Sequence, residues 1–265
     1  MAAAYIEFDG IASSQYGLYI ATPPSHRMPD KIIDEYTIPG RSGSVISDFG
    51  LYNNVERSYE VSFGKDFDTK YYYNNINAIT RWLAKPRGYA KLTDTYMGSA
   101  YQYNALFKGG AEFTNILGMG GTGTITFECE PYKYRTNGMT LANRALGSLS
   151  GGYKRHTITN PTGLPARPII KVTTNNTKFE VNIAENTENE VDMVFALPSG
   201  ITTVYIDSNT GEVYHITSGG AWRNMSNRVT MISSIGFPIL GEGGTTIRVT
   251  SPVTRVEVAP RWWEI

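Results

Sequence analysis

The sequence is poor in the residues that most often carry chemistry. Its 265 residues include one cysteine and three histidines, so an internal disulfide and a cysteine-based metal cluster are excluded. His26, His156 and His215 are far apart in the chain, and none has a second ligand at metal-binding spacing. No nucleophile-elbow motif or Ser/His/Asp set stands out. We therefore predict that the chain is not an enzyme and holds no metal or cofactor.

A surplus of charge is also missing. Lys+Arg and Asp+Glu both number 24, which gives no electrostatic reason to expect binding to nucleic acid or to an anionic membrane. No run approaches the ~20 apolar residues of a membrane span. The first residues have neither the basic region nor the apolar run of a signal peptide. These absences predict a chain that is made and kept in a reducing cytosol, or is assembled there and released by lysis, without membrane insertion.

What the sequence does contain is a series of short runs in which apolar and polar residues alternate. Tyr (18) and Gly (27) are both frequent, as expected for strands joined by turns. The longest run, Tyr52 to Phe63, predicts a strand with one buried face. That face carries Val55, Arg57, Tyr59, Val61 and Phe63.

One segment has the period of a helix instead. We predict a helix over residues 68–85, with Asp66 or Asp68 capping its start and Pro86 stopping it. Its apolar stripe consists of Tyr72, Ile76, Ile79 and Leu83. The stripe is expected to pack against a sheet.

The stretch from Thr122 to Asn137 is the predicted joint between two halves. It begins as an alternating strand, and Pro131 then removes a backbone donor and ends the strand. Cys129 lies on the apolar face, which predicts a buried thiol. Glu128 and Glu130 share the polar face, and a solvated surface or a partner for an arginine is a better interpretation of this pair than a catalytic dyad.

After the joint, short strands follow one another with turn residues every 8–12 positions, which is typical of a β-sandwich. Residues 137–168 are predicted to be linker-like with one short strand, Tyr153 to Ile158. Trp262 and Trp263 are expected to be buried, packing back on the joint. The predicted fold is mainly β, with two β-sandwich-like domains: residues 1–136, carrying the single α-helix, and residues 137–265.

Two glycine-rich segments resemble phosphate-binding loops in their sequence. Ile38–Ser44 is followed by a strand, and Gly118–Gly123 lies between two strands. A phosphate cradle needs a helix to begin where the glycines end. Both segments are therefore predicted to be hairpin loops, the second of them flexible.

The order of these motifs resembles the distal tail protein (Dit) family of long-tailed, non-contractile bacteriophages. The N-terminal motifs are Phe8-Asp9-Gly10, Tyr16-Gly17-Leu18, Ile38-Pro39-Gly40-Arg41-Ser42-Gly43, Ile79-Thr80-Arg81-Trp82-Leu83, Tyr89-Ala90-Lys91-Leu92 and Phe127-Glu128-Cys129-Glu130-Pro131-Tyr132. The C-terminal half resembles the family's galectin-like sandwich, through Asn160-Pro161-Thr162-Gly163, Arg167-Pro168, Tyr205-Ile206-Asp207-Ser208 and Gly236-Phe237-Pro238-Ile239-Leu240. Gly241-Glu242-Gly243-Gly244 departs from the Gly-x-Asn that many relatives carry there.

The resemblance implies a structural hub in the tail tip of a virion, assembled in the host cytoplasm. In this family the N-terminal domain closes a hexameric ring below the tail tube protein, DNA passes through the ring, and the ring seats the tail-associated tip protein. The C-terminal domain projects outward and in some relatives docks a receptor-binding or side-fibre protein. The candidate ring contacts in this chain are Pro39, Gly40, Arg41, Ser42, Gly43, Met119 and Gly120.

A carbohydrate-binding β-sandwich is the alternative function, because a galectin-like sheet can hold sugar on an aromatic face. Tyr205 and Tyr214 are aromatic residues that suit such a face, and Trp222-Arg223-Asn224 is the nearest local platform with polar flanks. The candidate sugar or partner surface is therefore Tyr214, Trp222, Arg223 and Asn224. A cell-wall hydrolase has less support, because no paired acids or metal ligands stand out.

Overall fold

A computed structural model describes residues 3–63, 72–116, 120–184, 190–232 and 236–265. The chain is mainly β, with 53% of its residues in strands and one α-helix in the described part. The predicted fold class is confirmed. The chain divides into two compact units, Met1–Lys133 with Ile265, and Tyr134–Glu264. No helix in the described part of the chain is both long enough and apolar enough to cross a membrane.

The first unit combines antiparallel strands with the helix. The elements of its described residues are β1 (Ile6–Phe8), β2 (Ile11–Ala12), β3 (Leu18–Ile20), β4 (Lys31–Thr37), β5 (Ser44–Tyr52), β6 (Val55–Phe63), α1 (Tyr72–Ala84), β7 (Ala90–Asp94), β8 (Tyr101–Leu106), β9 (Glu112–Ile116) and β10 (Gly120–Cys129). The main sheet runs in the order β2-β1-β7-β8-β10-β6-β3, and β9 pairs with the first half of β10. Strands β4 and β5 form a separate two-stranded sheet.

The core of the first unit lies between the main sheet and α1. The alternating face of β6 is buried as predicted. Ile79 and Leu83 of the helical stripe are buried, and Trp82 is fixed beside them because its Nε1 donates a 3.0 Å hydrogen bond to the Phe8 carbonyl. The predicted start of the helix at residue 68, with its capping aspartates, lies outside the described residues.

The interpretation of residues 118–123 as a flexible loop is wrong where the chain is described, because Gly120–Gly123 belong to β10. The glycines here make room for rings instead of forming a turn. A Cβ on Gly121 would lie 2.1 Å from Cζ of Phe63, its cross-strand partner, and one on Gly123 would lie 2.5 Å from Cδ1 of Phe113. In β-sheets, an aromatic side chain on one strand can pack over a glycine at the paired position of the neighbouring strand.

The second unit is built from two antiparallel sheets. The strands of its two sheets are β12 (Ala142–Arg144), β13 (Tyr153–Asn160), β14 (Ile169–Thr174), β15 (Lys178–Ala184), β16 (Glu190–Ala196), β17 (Thr203–Asp207), β18 (Glu212–Ile216), β19 (Trp222–Asn224), β20 (Val229–Met231), β21 (Gly243–Thr250) and β22 (Val253–Ala259). Two short strands of the chain, β11 (Lys133–Arg135) and β23 (Trp263–Glu264), pair with each other outside these sheets. One sheet has the order β12-β22-β14-β17-β18-β19 and the other β13-β21-β15-β16-β20. Strand β12 shows that residues 137–168 hold more strand than predicted.

Buried residues of both sheets form one continuous core in the second unit, as in a sandwich. Trp262 belongs to this core, as expected, and its carbonyl accepts a 2.8 Å hydrogen bond from the Arg135 N–H. Trp263 is only half-buried at the margin of this core, and its indole Nε1 donates a 2.9 Å hydrogen bond to the Pro165 carbonyl. The expectation that both tryptophans are buried is therefore correct for the first and wrong for the second.

Candidate functional site

The most exposed apolar surface of the first unit is the hairpin of β4 and β5, residues Lys31–Tyr52, which we call the arm. Its tip is a turn in which the Arg41 N–H donates a 3.1 Å hydrogen bond to the Ile38 carbonyl. Gly40 and Gly43 have φ values of 81° and 84°, a left-handed conformation that glycine adopts without steric cost. The Pro-Gly-x-x-Gly pattern therefore forms a hairpin turn, as the sequence predicts.

The base of the arm contains a bulge. The register runs from Thr37 opposite Ser44 to Lys31 opposite Tyr52, and it shifts between Ile32 and Ile33. Across the bulge, Lys31 donates a 2.6 Å hydrogen bond to Asp48, and this bond lowers the pKa of the Asp48 carboxyl. Bulges increase the local twist of a hairpin, so this contact stabilises the bend at the base of the arm.

The arm exposes an unusual amount of apolar surface. Seven large apolar side chains along it are each at least 37% exposed: Ile32, Ile33, Tyr36, Ile38, Ile46, Phe49 and Leu51. None belongs to the core of the first unit. An isolated two-stranded sheet is marginally stable in water, and this many exposed apolar side chains on one element indicate an interaction site.

Both faces and both edges of the arm are available for contact. By strand alternation, Ile33 and Ile46 lie on one face, while Ile32, Tyr36 and Leu51 lie on the other. Among the described residues, β4 and β5 pair only with each other. Their outer edges therefore present unpaired backbone groups, which can accept a further strand.

The predicted ring contacts divide into two groups. Those at the arm tip are brought together in one exposed turn: Pro39, Gly40, Arg41, Ser42 and Gly43. Gly120 is instead buried within the main sheet, where it has no side chain to offer a neighbour. Met119 lies outside the described residues. The arm strands on either side of the tip were not predicted as contacts, although adjacent isoleucines at positions 32 and 33 break the one-face pattern of a core strand.

A second surface with aromatic residues lies on the six-stranded sheet of the second unit. Tyr205 and Tyr214 are cross-strand partners whose rings stack at 5.1 Å with an angle of 2°. Trp222 follows at 5.9 Å from Tyr214, and Lys171 lies over the Tyr205 ring. Tyr214 thus lies between two rings from the neighbouring strands, stacked on Tyr205 and tilted relative to Trp222. Trp222, which is 50% exposed, is the ring of this row that most readily accepts a partner.

Of the two candidate residues beside Trp222, Arg223 and Asn224, only Asn224 lies on the same face of the sheet. Successive residues of a strand point to opposite faces, so Arg223 lies on the other side of β19 from Trp222 and Asn224. Arg223 is the cross-strand partner of His215, whereas Asn224 is that of Tyr214. The Asn224 side-chain oxygen also accepts a 2.7 Å hydrogen bond from the Ser226 N–H. The predicted Trp-Arg-Asn platform is therefore split between two faces.

The polar residue that interrupts the buried face of β6 belongs to an internal cluster. Arg57 Nη2 and the Tyr59 hydroxyl each donate to Asp94 Oδ2 at 2.8 Å. Asp94 Oδ1 accepts from the backbone N–H groups of Tyr96 and Met97, also at 2.8 Å each. Burial raises the pKa of Tyr59 well above its ordinary value. Because the carboxylate is saturated with donors, the cluster serves the packing of the first unit.

The acidic pair at the end of β10, Glu128 and Glu130, has separate partners. Glu128 accepts hydrogen bonds from Lys108 and Asn54, and the bond from Lys108 lowers the pKa of this carboxyl. Glu130 accepts a 2.8 Å hydrogen bond from Asn104. Burial raises the pKa of the intervening Cys129 thiol to about 12. Within the described residues, no group of three or more His, Cys, Asp and Glu side chains converges as metal ligands do.

Comparison with known proteins gives a consistent result. Residues 1–131 match the model of a family described as the phage tail protein N-terminal domain. The SPP1 Dit (gp 19.1) protein, described as a paradigm of the hub adsorption apparatus in phages infecting Gram-positive hosts, has a similar structure with a TM-score of 0.68 and 14% identity. That match covers 96% of this chain and 98% of the other. No curated protein sequence matches the chain significantly.

Chains of the phage p2 baseplate are also similar in structure. In its activated conformation with Sr, the matching chain has a TM-score of 0.59 and 10% identity, with 97% of this chain and 96% of that chain covered. With Ca the TM-score is again 0.59, the identity is 12%, and the coverage is 97% of both chains. The resemblance to the distal tail proteins is confirmed. The similarity supports a structural role in a phage tail, which implies a place in the virion.

Proposed function

We propose that the chain is the hub subunit of a phage tail tip and that six copies form a ring that joins the tail tube to the tip and host-adsorption proteins. The observation that carries this proposal is the arm. A two-stranded sheet with seven exposed apolar side chains and open edges in the described structure suits docking on another protein. A neighbouring copy is the partner that every subunit of a ring has available.

The chemistry of the arm supports a protein partner over a charged polymer. Its exposed large apolar side chains are mainly isoleucine and aromatic residues, and Lys31 is paired with Asp48 inside the hairpin. Burial of apolar surface therefore supplies the attraction, while backbone pairing along an open edge sets the register. Arg41 at the tip adds a charge that reaches beyond the hairpin.

The remaining partners follow from the proposed position in the tail. The ring would contact the major tail tube protein on one side and the tail-associated tip protein on the other, with phage DNA passing through its centre. The second unit is a galectin-like sandwich in this proposal, and Trp222 is its candidate contact for a receptor-binding or side-fibre protein. Assembly would take place in the host cytoplasm.

Native mass spectrometry of the purified chain tests the ring. We expect a hexamer for the unaltered chain and smaller species for Ile46→Asp and Phe49→Asp, because a buried carboxylate in an apolar contact is costly. Arg41→Glu should weaken the hexamer if the tip meets a neighbour. The matched control is Ile232→Asp in the second unit, since Ile232 is 68% exposed and Ile46 is 60% exposed.

Circular dichroism separates assembly from folding in these variants. The arm side chains lie outside the core, so the variants should keep the spectrum and unfolding midpoint of a subunit. A chain that remains monomeric at tens of micromolar, or arm variants that assemble like the control, would contradict the proposal.

The carbohydrate-binding alternative has less support from the geometry. A sugar platform needs an aromatic face open to the ligand, and Tyr214 lies between the rings of Tyr205 and Trp222. Among the candidate residues, only Trp222 has a half-exposed aromatic ring that a sugar could contact. A glycan array separates the two functions, because sugar binding that Trp222→Ala abolishes would favour the alternative.

A further inference from the structure

A cleft with basic residues opens at the edge of the second unit's sandwich. It lies where edge strand β12 of one sheet approaches edge strand β13 of the other, with β22 beside them. Its volume is about 540 Å³, and it is lined by Asn143, Arg144, Ala145, Leu146, Gly147, Lys154, Thr254 and Arg255. Three of these residues are cationic and none is acidic. The cleft is therefore distinctly positive in a chain whose formal net charge is zero.

Two of the cations point inward, toward the space between the sheets. Arg144 is the cross-strand partner of Val256, and Lys154 is the partner of Val249. Cross-strand partners share a face, and both valines are fully buried. Arg255 differs, because its guanidinium is paired with Glu257 at 3.0 Å. The charge of the cleft thus comes mainly from Arg144 and Lys154.

These two side chains lack a carboxylate partner in the described structure. Lys154 Nζ donates to two backbone carbonyls, at 3.3 Å to Ser251 and 2.8 Å to Val253, which fix the ammonium without neutralising it. Arg144 Nε is buried and has no hydrogen-bond acceptor among the described residues. A buried donor without an acceptor is unfavourable, so Arg144 is held at some cost to the fold. An anion that enters the cleft would offset the two charges.

We propose that this cleft binds a phosphate ester. A tetrahedral phosphate has several acceptor oxygens, so it can meet the planar guanidinium of Arg144 and the ammonium of Lys154 together. The cleft is much larger than a single phosphate ion, and the additional space suits the organic part of an ester. Asn143 and Thr254 at the rim provide polar groups for the hydroxyls of such a ligand.

Isothermal titration of the full chain with glycerol 3-phosphate, inorganic phosphate and neutral glycerol tests this site. We expect glycerol 3-phosphate to bind more tightly than inorganic phosphate and glycerol not to bind. Arg144→Gln and Lys154→Gln should each weaken binding about tenfold, because each removes one charge-assisted hydrogen bond. Affinity should fall as salt is added. The matched control is Arg228→Gln, an exposed arginine of the same unit away from the cleft.

A second measurement distinguishes a binding residue from a structural one. Without ligand, Arg144→Gln should leave the thermal midpoint unchanged or raise it, since the buried donor is removed. Glycerol 3-phosphate should raise the midpoint of the unaltered chain and of Arg228→Gln, but not that of Arg144→Gln. Absence of binding, equal binding by all variants, or preference for glycerol would overturn the proposal. A clear loss of stability in ligand-free Arg144→Gln would do the same.

Discussion

Arg57 occupies a position where an arginine is least expected, on the buried face of a long strand. The alternation of β6 places its side chain inward, and its charge is offset by Asp94, a residue 37 positions away in the sequence. Periodicity therefore predicted the direction of the side chain. It could not identify Asp94 as the partner. Which residues of a sheet become neighbours depends on the order of the strands, and the local sequence does not encode that order.

The Arg57–Asp94 pair should contribute strongly to stability when only one partner is removed. Asp94→Ala leaves a buried guanidinium uncompensated, and we expect the free energy of unfolding to fall by about 3–5 kcal/mol. Urea denaturation measures this change. The control is Asp30→Ala, which breaks the pair of Arg27 and Asp30, both at least 65% exposed, and should cost about 0–1 kcal/mol. Equal losses in the two variants would show that burial of the pair is unimportant.

The thiol of Cys129 should titrate only at high pH in the folded chain. Burial raises its pKa from 9.0 to about 12, so the folded state holds a proton that the unfolded state releases above pH 9. The stabilising effect of this difference is complete below pH 9 and is lost as the pH rises toward 12. We expect iodoacetamide at pH 8.5 to leave the folded chain unmodified and to react after unfolding in urea. Rapid labelling of the folded chain would contradict the assigned burial.

At the scale of elements, the glycines of β10 are a case in which the sequence pattern predicted the wrong local structure. A run of glycines between two strands is the usual signature of a turn. Here the described glycines pair with strands on both sides, and the rings of Phe63 and Phe113 occupy the space above them. The helix and strand β6, by contrast, were predictable because each has an apolar face that repeats with its own period.

Gly121 should tolerate no side chain. A Cβ there would lie 2.1 Å from the Phe63 ring and 2.5 Å from the Thr114 carbonyl oxygen, and the backbone atom cannot rotate away. We expect Gly121→Ala to destabilise the chain by about 1–3 kcal/mol, measured by thermal unfolding. The control is Gly88→Ala, because a Cβ at Gly88 meets nothing within 4 Å. A neutral Gly121→Ala would refute the close packing of the ring.

At the scale of the whole molecule, the C-terminal residues complete the second unit. Arg261 adopts a φ of 56°, unusual for a residue other than glycine, and this conformation directs its guanidinium to Asp207 with bonds of 2.7 and 2.9 Å. The preceding residues end β22, and the following Trp262 enters the core. The burial of Trp262 was expected from its apolar character. No pattern in the sequence predicts the positive φ of Arg261, the residue that precedes it.

Truncation after Ala259 should therefore destabilise the second unit. It removes Trp262 from the core and leaves the Asp207 carboxylate without its arginine, so we expect a loss of about 3–5 kcal/mol. Denaturation of a fragment spanning residues 134–265, compared with one spanning 134–259, measures this effect. Removal of Trp263 onward is the milder control, since that indole is half-exposed. Equal midpoints for the two fragments would count against a structural role for the C-terminal residues.

The arm also has a consequence for the kind of assembly it would form. In an open row of subunits, each joined to the next through its arm, one terminal arm always stays in water with its apolar side chains. Closing the row covers that last arm and adds a contact without recruiting another subunit. The step that completes the circle is thus more favourable than any step before it. Partial rings should be scarce at equilibrium, and free subunits should coexist mainly with finished ones.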